Sequence, residues 1–411
     1  MRPTLFTIPF LPAWLGEIKS YGVLLMIGFL TGIWMCCRRA ERSRANPDIV
    51  LNMGFISLIG GIVGARAMYV IHYWADRFAN QPSPIMAVFD IRAGGLEFLG
   101  GPILVIPALY IYLRYIAKVS TRWYLDMAAP ALPWGLAITR IGCFLNGCCW
   151  GAVCLNPNDP DHAEAGVPWA VHFPYGSPAM QQQYQFGQLT LPKELIWVSP
   201  GGDSAPLPRE AIEALARDGG TTGGNLRAKF DKLTRDLNDA RAKKAAPDVL
   251  TALEVDVAAA QSAYQNYTHN TLAGIAEAQC RKFGLTAQEL HDLAMHYEAR
   301  PVHPTQLYAV LTGLLLTWIL SVGYYYRRRH GVLLPWFLIL YSIARFLEEL
   351  LRQDNPLDFG FGGLTISQFL GLVLIPIGAL SLWYLYRQPE YCPLAVRWDP
   401  PPEDETPAPA R

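Results

Sequence analysis

Charged side chains are scarce in this sequence. Asp, Glu, Lys and Arg account for 17% of the 411 residues, whereas soluble domains usually carry about 25%. Hydrophobic residues make up 52%, which excludes a disordered chain outside the Pro-rich C-terminal tail. A deficit of charge in a chain of this length predicts a protein that exposes much of its surface to lipid.

An excess of charge of one sign is also lacking. The 34 basic residues are matched by 34 acidic ones, and nucleic-acid binding depends on a basic surface. We therefore expect no nucleic-acid partner. The eight cysteines are scattered along the chain, which excludes a small scaffold held together by disulfides.

Long, mostly apolar segments take the place of the missing charge. A helix needs about 20 such residues to cross a bilayer, and the sequence contains them at residues 21–37, 50–73, 96–117, 123–143, 305–325, 332–351 and 364–386. The pattern predicts an all-α polytopic membrane protein with seven transmembrane helices. No small-residue cleavage site follows the first segment, so we expect that segment to be an uncleaved anchor.

Basic residues follow the first, third, fifth and seventh segments, as in CRRAERSR and YRRRH. Lys and Arg in short loops favour the cytoplasmic side. We therefore expect a multi-pass protein of the bacterial cell inner membrane, with the N-terminus in the periplasm and the C-terminus in the cytoplasm. The long stretch between spans four and five then forms a periplasmic insertion.

Composition divides the chain into four parts. Residues 1–151 hold spans one to four, 152–304 the periplasmic insertion, 305–387 spans five to seven, and 388–411 a cytoplasmic Pro-rich tail. Within the insertion, apolar residues recur at helical spacing from Leu226 to Leu237 before Pro247 interrupts the chain. This predicts a helical hairpin near residues 225–265. Thr286 and Glu289 form a capping-box pattern at the start of a further helix.

Several charged residues lie inside the apolar segments, where an Arg costs about 2.5–3.5 kcal/mol at the centre of a span. Arg140 is one of them, and Arg345, Glu349 and Arg352 recur on a single helix face. One interpretation is a self-neutralising ladder that only packs the helices. The other is an anion site, because the planar fork of Arg donates two hydrogen bonds to one phosphate. We favour a phospholipid headgroup site, completed by polar residues nearby: Tyr21, Asn146 and Gln306.

Five motifs occur in order along the chain: YGVLLMIGF, GGLEFLGG, RIGCFLNGCCWG, HPTQLY and YSIARFLEELLR. Together they resemble the prolipoprotein diacylglyceryl transferase family. The resemblance implies an inner-membrane enzyme with seven helices. It would transfer the diacylglyceryl group of phosphatidylglycerol to the lipobox cysteine thiol of a prolipoprotein, forming a thioether and releasing glycerol phosphate. It implies no metal or organic cofactor; the partners would be phosphatidylglycerol and prolipoprotein signal peptides, and we expect a monomer.

The resemblance also implies roles for particular residues. Arg140 matches the arginine thought to hold the lipid phosphate. The catalytic candidates are Arg140, Arg345, Glu97 and Tyr21. The candidates for substrate binding are Asn146, Gly151, His303, Gln306, Tyr308, Tyr341, Glu349 and Arg352.

The sequence departs from the family pattern at Leu99, where typical members carry a His in the Gly-rich loop. That His is commonly proposed to help activate the thiol. Three interpretations stay open. The arginines alone favour the thiolate; Glu97, His72 or His303 replaces the missing base; or the chain is a paralogue that binds lipid or peptide with altered or no transfer. For Glu97, pairing with Arg92 is the alternative to a catalytic role.

Four cysteines crowd the motif that begins at Arg140, at positions 143, 148, 149 and 154. Their spacing does not match the paired C-x₂-C pattern of zinc sites. A periplasmic disulfide of Cys148 or Cys149 with Cys154 is a second possibility. We interpret the four residues instead as small buried thiols, and we predict no metal site.

Overall fold

The computed structural model describes residues 4–7, 17–79, 83–90, 95–97, 99–156, 166–198, 202–244, 246–352 and 363–388. The chain divides into two compact units. We call Asn146–Pro304 the insertion unit, and Arg2–Leu145 together with Thr305–Arg411 the bundle unit.

The first part of the bundle unit begins with a short antiparallel pair, β1 (Thr4–Thr7) and β2 (Glu17–Lys19). Six helices follow: α1 (Ser20–Arg42), α2 (Pro47–His72), α3 (Pro84–Phe89), α4 (Gly100–Ile111), α5 (Thr121–Ala128) and α6 (Ala131–Asn146). A π-helical turn, Tyr112–Ile116, extends α4. Pro130 lies between α5 and α6, where its missing N–H interrupts the helical hydrogen bonds.

The insertion unit also contains six helices: α7 (Pro178–Gln185), α8 (Arg209–Asp218), α9 (Thr221–Ala242), α10 (Pro247–Asn270), α11 (Leu272–Phe283) and α12 (Ala287–His296). Its sheet is a two-stranded antiparallel pair, β3 (Ile196–Val198) and β4 (Ser204–Pro206). The capping box predicted for Thr286 and Glu289 is confirmed at the start of α12.

The bundle unit is completed by α13 (Thr305–Tyr326), α14 (Leu333–Glu349) and α15 (Ile366–Tyr386). A second capping box, formed by Thr365 and Gln368, starts α15. Within the described residues, five helical segments are long and apolar enough to cross a membrane: α1, α2, α5 with α6, α13 and α15. The predicted membrane helices are therefore confirmed for five segments, and the count of seven stays a prediction.

The helices of the bundle unit expose apolar side chains on their outer surfaces. Leu30, Phe55 and Trp318 are 56%, 62% and 65% exposed. Soluble monomers rarely present such side chains in large numbers on contiguous surfaces. The exposure is therefore typical of helices that face lipid.

Glycines allow neighbouring bundle helices to approach closely. A Cβ at Gly28 of α1 would lie 3.1 Å from the carbonyl oxygen of Gly135 in α6. Gly142, close to the end of α6, packs against Tyr21 at the start of α1, so these two helices run antiparallel. Since α1 and α2 are joined by a short turn, the end of α2 lies at the same end of the bundle as the end of α6. Small residues generally allow membrane helices to approach each other closely.

A buried ion pair closes the other end of the bundle unit. Asp126 is fully buried, and its carboxylate accepts hydrogen bonds from Arg327 Nε at 2.8 Å, from Gly331 N at 2.7 Å and from Leu333 N at 2.9 Å. The guanidinium of Arg327 also lies over the ring of Tyr324. In the same loop, burial lowers the pKa of His330 to about 4, with the charge of Arg327 as the smaller cause. The Asp126 carboxylate thus fixes the turn that leads into α14.

The insertion unit has a core of its own and is closed by backbone pairing of its first and last segments. Phe173, Leu195 and Ile212 are buried in that core. Gly151 N donates to the carbonyl oxygen of His303 at 2.9 Å. Further bonds join residues 152 and 154 to residues 303 and 301, and 171 and 173 to 302 and 299. The beginning and the end of the insertion unit therefore lie side by side.

Candidate functional site

The charged residues of α14 form a ladder on one helix face. Arg345 Nη2 lies 2.5 Å from Glu349 Oε2, and Arg345 Nη1 lies 3.8 Å from Glu348 Oε2. Arg352 Nη1 lies 3.7 Å from the same oxygen of Glu349. The side chain of Glu349 is completely buried and that of Arg345 is 11% exposed. The sequence prediction of a shared helix face is correct for Arg345 and Glu349, whereas Arg352 lies beyond the end of α14 and still pairs with Glu349. The structure adds Glu348.

Arg345 and Arg140 meet at one small, partly open cavity. Its polar lining comes from three helices and consists of Arg140, Thr312, Tyr341, Arg345 and Glu348. Three of these were singled out from the sequence: Arg140, Tyr341 and Arg345.

Arginines outnumber glutamates in the cluster formed by the cavity and the ladder. Among the described residues it contains three arginines and two glutamates, and these five side chains together carry one net positive charge. Burying a charge is costly unless it is paired. The excess of positive charge at a cavity is therefore suited to an anionic group of a ligand, and bidentate hydrogen bonding by Arg matches phosphate.

Close helix contacts hold the two cavity arginines in place. On the α6 side, a Cβ at Gly313 of α13 would lie 2.8 Å from the carbonyl oxygen of Pro133. On the α14 side, Arg345 Nη2 donates to Ser367 Oγ in α15 at 3.3 Å. Sequence reasoning missed Ser367 and Thr312, because hydroxyl residues in apolar helices give no signal of which helix they will face.

The other sequence-predicted residues occupy separate positions. Tyr21 is 39% exposed at the start of α1 and adjoins Gly142, two residues beyond Arg140. In α13, Gln306 is completely buried and Tyr308 is half-buried. Asn146 is the last residue of α6 and the first of the insertion unit, in which Gly151 and His303 are joined by their backbones.

Glu97, the predicted base of the Gly-rich loop, pairs with a histidine of α2. Its carboxylate oxygens lie 3.2 and 3.4 Å from His72 Nδ1. The backbone of Glu97 is fixed as well, since its N–H donates to the carbonyl oxygen of Ala65 at 3.0 Å. The alternative partner, Arg92, lies outside the described residues. The structure thus brings together two of the residues that the sequence offered as separate replacements for a base at Leu99.

Arg66, one turn and a half before His72, organises the loop that carries Glu97. Its guanidinium donates to the carbonyl oxygens of Ala87, Val88 and Asp90, each at 2.8 Å, and of Gly95 at 3.0 Å. The first three carbonyls belong to the end of α3, where helical carbonyl groups have no partner in the helix. A charge inside α2 therefore binds the end of α3 and the first part of the Gly-rich loop.

The cysteines are present as thiols. This holds for all seven in the described residues: 36, 37, 143, 148, 149, 154 and 280. Cys148 and Cys149 have their sulfurs within 4.8 Å of each other, and Cys149 adopts a positive φ of 63°. Burial raises the pKa of Cys280, in the insertion unit, to about 11. The predicted buried character is confirmed for Cys143 and Cys154, while Cys148 and Cys149 are half-buried.

Comparison with known proteins gives a consistent result. The model of the prolipoprotein diacylglyceryl transferase family matches residues 6–215 and 240–384. A phosphatidylglycerol–prolipoprotein diacylglyceryl transferase of Rhodopirellula baltica is 27% identical over 392 residues, which are 90% of this chain and 73% of the relative.

Two further relatives with the same name match shorter stretches. The Shewanella oneidensis protein is 36% identical over 176 residues, 42% of this chain and 60% of that protein. The Vibrio cholerae protein is 33% identical over 194 residues, 46% of this chain and 63% of that protein. The gap in the family match, residues 216–239, covers most of α9.

Proposed function

The chain belongs to the prolipoprotein diacylglyceryl transferase family, and from this membership and the charged cavity we propose that it lipidates prolipoproteins. It transfers the diacylglyceryl group of phosphatidylglycerol to the thiol of the lipobox cysteine. A carbon–sulfur bond forms at the glyceryl carbon, the bond from that carbon to the phosphate oxygen breaks, and glycerol phosphate leaves with the electron pair. The thiol proton is released.

The observation that carries this proposal is the meeting of Arg140 and Arg345 at one cavity with net positive charge. Phosphatidylglycerol brings one negative charge at its phosphate, and the leaving glycerol phosphate gains another as the bond breaks. Preorganised donors aimed at a developing anion lower the barrier, because they need not reorient during the reaction. We assign Arg140 and Arg345 to the phosphate, and Glu348, Glu349 and Arg352 to holding Arg345 in position.

The remaining motif residues receive roles by their match to the family pattern. We propose that Tyr21 and Tyr341 contact the lipid headgroup. For the lipid or the peptide we propose contacts from Asn146, Gly151, His303, Gln306 and Tyr308. None of these assignments requires a metal or an organic cofactor.

We further propose seven membrane spans in a bacterial inner membrane. Two apolar helices shorter than the five long segments support the number: α4 with its π-helical turn, Gly100–Ile116, and α14, with 17 residues. The excess of Lys and Arg in alternate loops supports a periplasmic N-terminus and a cytoplasmic C-terminus. Fusions of a periplasm-active enzyme after residues 190, 244 and 388 test this: activity is expected at the first two and not at the third.

The test of function uses the purified full-length protein in vesicles of phosphatidylglycerol with a synthetic lipobox peptide. The expected result is a peptide whose mass rises by one diacylglyceryl group, with release of glycerol phosphate. Vesicles of phosphatidylethanolamine are the matched control and should give no product. A protein that binds phosphatidylglycerol but modifies no peptide, and that fails to restore lipoprotein modification in transferase-depleted cells, would favour the lipid-binding alternative.

A further inference from the structure

Transfer to a thiol releases a proton, so a proton-accepting group is expected near the substrate sulfur. The following inference rests on the proposed function. A thiolate is a far better nucleophile than a thiol, so a proton acceptor near the substrate sulfur would raise the rate. Leu99 has no atom that can accept a proton.

The carboxylates of the charged ladder are poorly suited to this task. Glu349 is held between Arg345 at 2.5 Å and Arg352 at 3.7 Å, and Glu348 faces Arg345 at 3.8 Å. Both glutamates are already engaged in ion pairs with arginine, so neither carboxylate is placed to face the substrate sulfur. Neutralising either glutamate would also leave the arginine cluster with more uncompensated charge.

The pair formed by His72 and Glu97 has the geometry of an oriented imidazole. Both carboxylate oxygens of Glu97 face His72 Nδ1, at 3.2 and 3.4 Å. A carboxylate in this position favours the tautomer that carries its proton on Nδ1, which leaves the lone pair of Nε2 free to accept a proton. The side chain of His72 is 61% exposed, so a substrate can reach it.

The pair stands at the same end of the bundle unit as the arginine cavity. His72 is the last residue of α2, whose end lies beside the start of α1. Tyr21, at that start, adjoins Gly142 of α6, two residues from Arg140. The imidazole thus lies at the same end of the bundle unit as the arginine cavity.

The structure also holds both partners of the pair firmly. The N–H of Glu97 donates to Ala65 O, and Arg66 binds four carbonyl oxygens of the segment that precedes Glu97. The ring of His72 stacks on Tyr73 with centroids 4.6 Å apart. These contacts fix the backbone of Glu97 and one face of the His72 ring.

We propose that His72 Nε2 accepts the proton of the lipobox thiol and that Glu97 positions the imidazole. The thiol gives its proton to His72, the resulting thiolate forms the bond to the glyceryl carbon, and the electron pair of the broken carbon–oxygen bond leaves with glycerol phosphate. The imidazolium then returns its proton to water. In this chain the pair accepts the proton that Leu99 cannot accept.

His72→Asn tests the proposal with two peptides that differ only in the nucleophile. One carries cysteine and the other selenocysteine, whose selenol is already ionised at neutral pH and needs no base. The variant is expected to lose about 10²–10⁴-fold in kcat on the thiol peptide, the range typical of general base catalysis. On the selenol peptide it should stay within about tenfold of wild type. His269→Asn, in the exposed part of α10, is the matched control and should leave both rates unchanged.

The outcomes separate the inference from the proposed function. If wild type modifies the thiol peptide and His72→Asn does so equally well, or if the variant loses both peptides alike, His72 is not the proton acceptor although the function stands. If wild type modifies neither peptide, the proposed function is wrong and the inference is wrong with it.

Glu97→Gln tests the positioning role. Glutamine can keep a hydrogen bond to His72 but not the charge, so we expect a loss in kcat of about tenfold on the thiol peptide, restored with the selenol peptide. In the His72→Asn background the same change should cause no further loss, because a residue that acts through another has no effect without it. An additive loss in the double variant would show that Glu97 acts independently of His72.

Discussion

The bundle unit contains two buried charge clusters at opposite ends, and they are built on different principles. Asp126 and Arg327 form a neutral pair in which three donors saturate one carboxylate. The cluster around Arg345 joins three arginines to two glutamates beside a small cavity. The first cluster consists of matched partners, whereas the five side chains of the second together carry one net positive charge beside that cavity.

This difference separates a structural role from a ligand-binding one. A closed pair gains nothing from a further ion, since its donors and acceptors are already matched. A buried cluster with a net positive charge is destabilised by that charge until an anion binds beside it. Residue types alone would not distinguish the two, because both consist of Arg with Asp or Glu inside apolar sequence.

Breaking the closed pair should have the largest effect, and it should fall on stability. Asp126→Asn leaves Arg327 buried without its counter-ion, which costs about 3–5 kcal/mol. Chemical or thermal unfolding of the detergent-solubilised protein measures the loss. Adding Arg327→Met should recover part of it, since no buried charge is then unpaired. If Asp126→Asn alone is as stable as wild type, the ion pair is not what fixes the turn before α14.

Breaking the open cluster should instead act on transfer. Arg140→Ala removes a donor to the lipid phosphate, and we expect turnover to fall about 10²–10³-fold, as when a preorganised oxyanion donor is deleted. The unfolding transition should stay near that of wild type. Arg38→Ala, at an exposed arginine paired with Glu41, is the matched control. Turnover near normal in the Arg140 variant would contradict the assignment of this cavity to phosphate.

A lysine at the same position sharpens the comparison. Arg140→Lys keeps the charge but loses the planar fork, so a bidentate contact becomes a single one. We expect about tenfold lower turnover than wild type, equivalent to about 1.4 kcal/mol. Turnover measured across a range of phosphatidylglycerol contents shows whether the loss lies in KM or in kcat. Full activity would mean that charge alone is needed.

The smallest effect is expected outside both clusters, in the insertion unit. Thr286→Ala removes the capping box of α12, in which Thr286 Oγ1 accepts from Glu289 N at 3.2 Å, and should cost about 1 kcal/mol. Hydrogen exchange in α12 reports the change, and Thr251→Ala in the second turn of α10 serves as the control. Loss of transfer in this variant would tie α12 to the reaction.

Much of this arrangement could be predicted from local sequence. Arg345 and Glu349 share a face because helical spacing demands it, and Arg140 is marked by its charge inside an apolar segment. The length of apolar runs predicted the long helices, since a bilayer sets that length. The start of α4 at Gly100, instead of residue 96, depends on contacts with α2 that no local rule contains.

Contacts between residues on neighbouring helices or segments could not be predicted from the sequence. Counting places Arg140 and Arg345 at one level, but their meeting depends on close packing of Gly313 against Pro133. The pairing of Glu97 with His72 joins two segments whose spacing follows no helical or strand period. For the same reason Glu97 was matched with Arg92, a neighbour in sequence, and His72 was left as a separate alternative.

The pairing of Gly151 with His303 has a consequence for how the protein is made. Roughly 150 residues separate these partners, and at about 5–20 residues per second synthesis of that length takes roughly 8–30 seconds. Phe173 and Ile212 are made early in this interval, before the segment that pairs with the beginning of the unit and adds Val302 to their core. The insertion unit can close only after residue 303 has been made. Its folding is therefore completed only after the first part of the bundle unit has been synthesised.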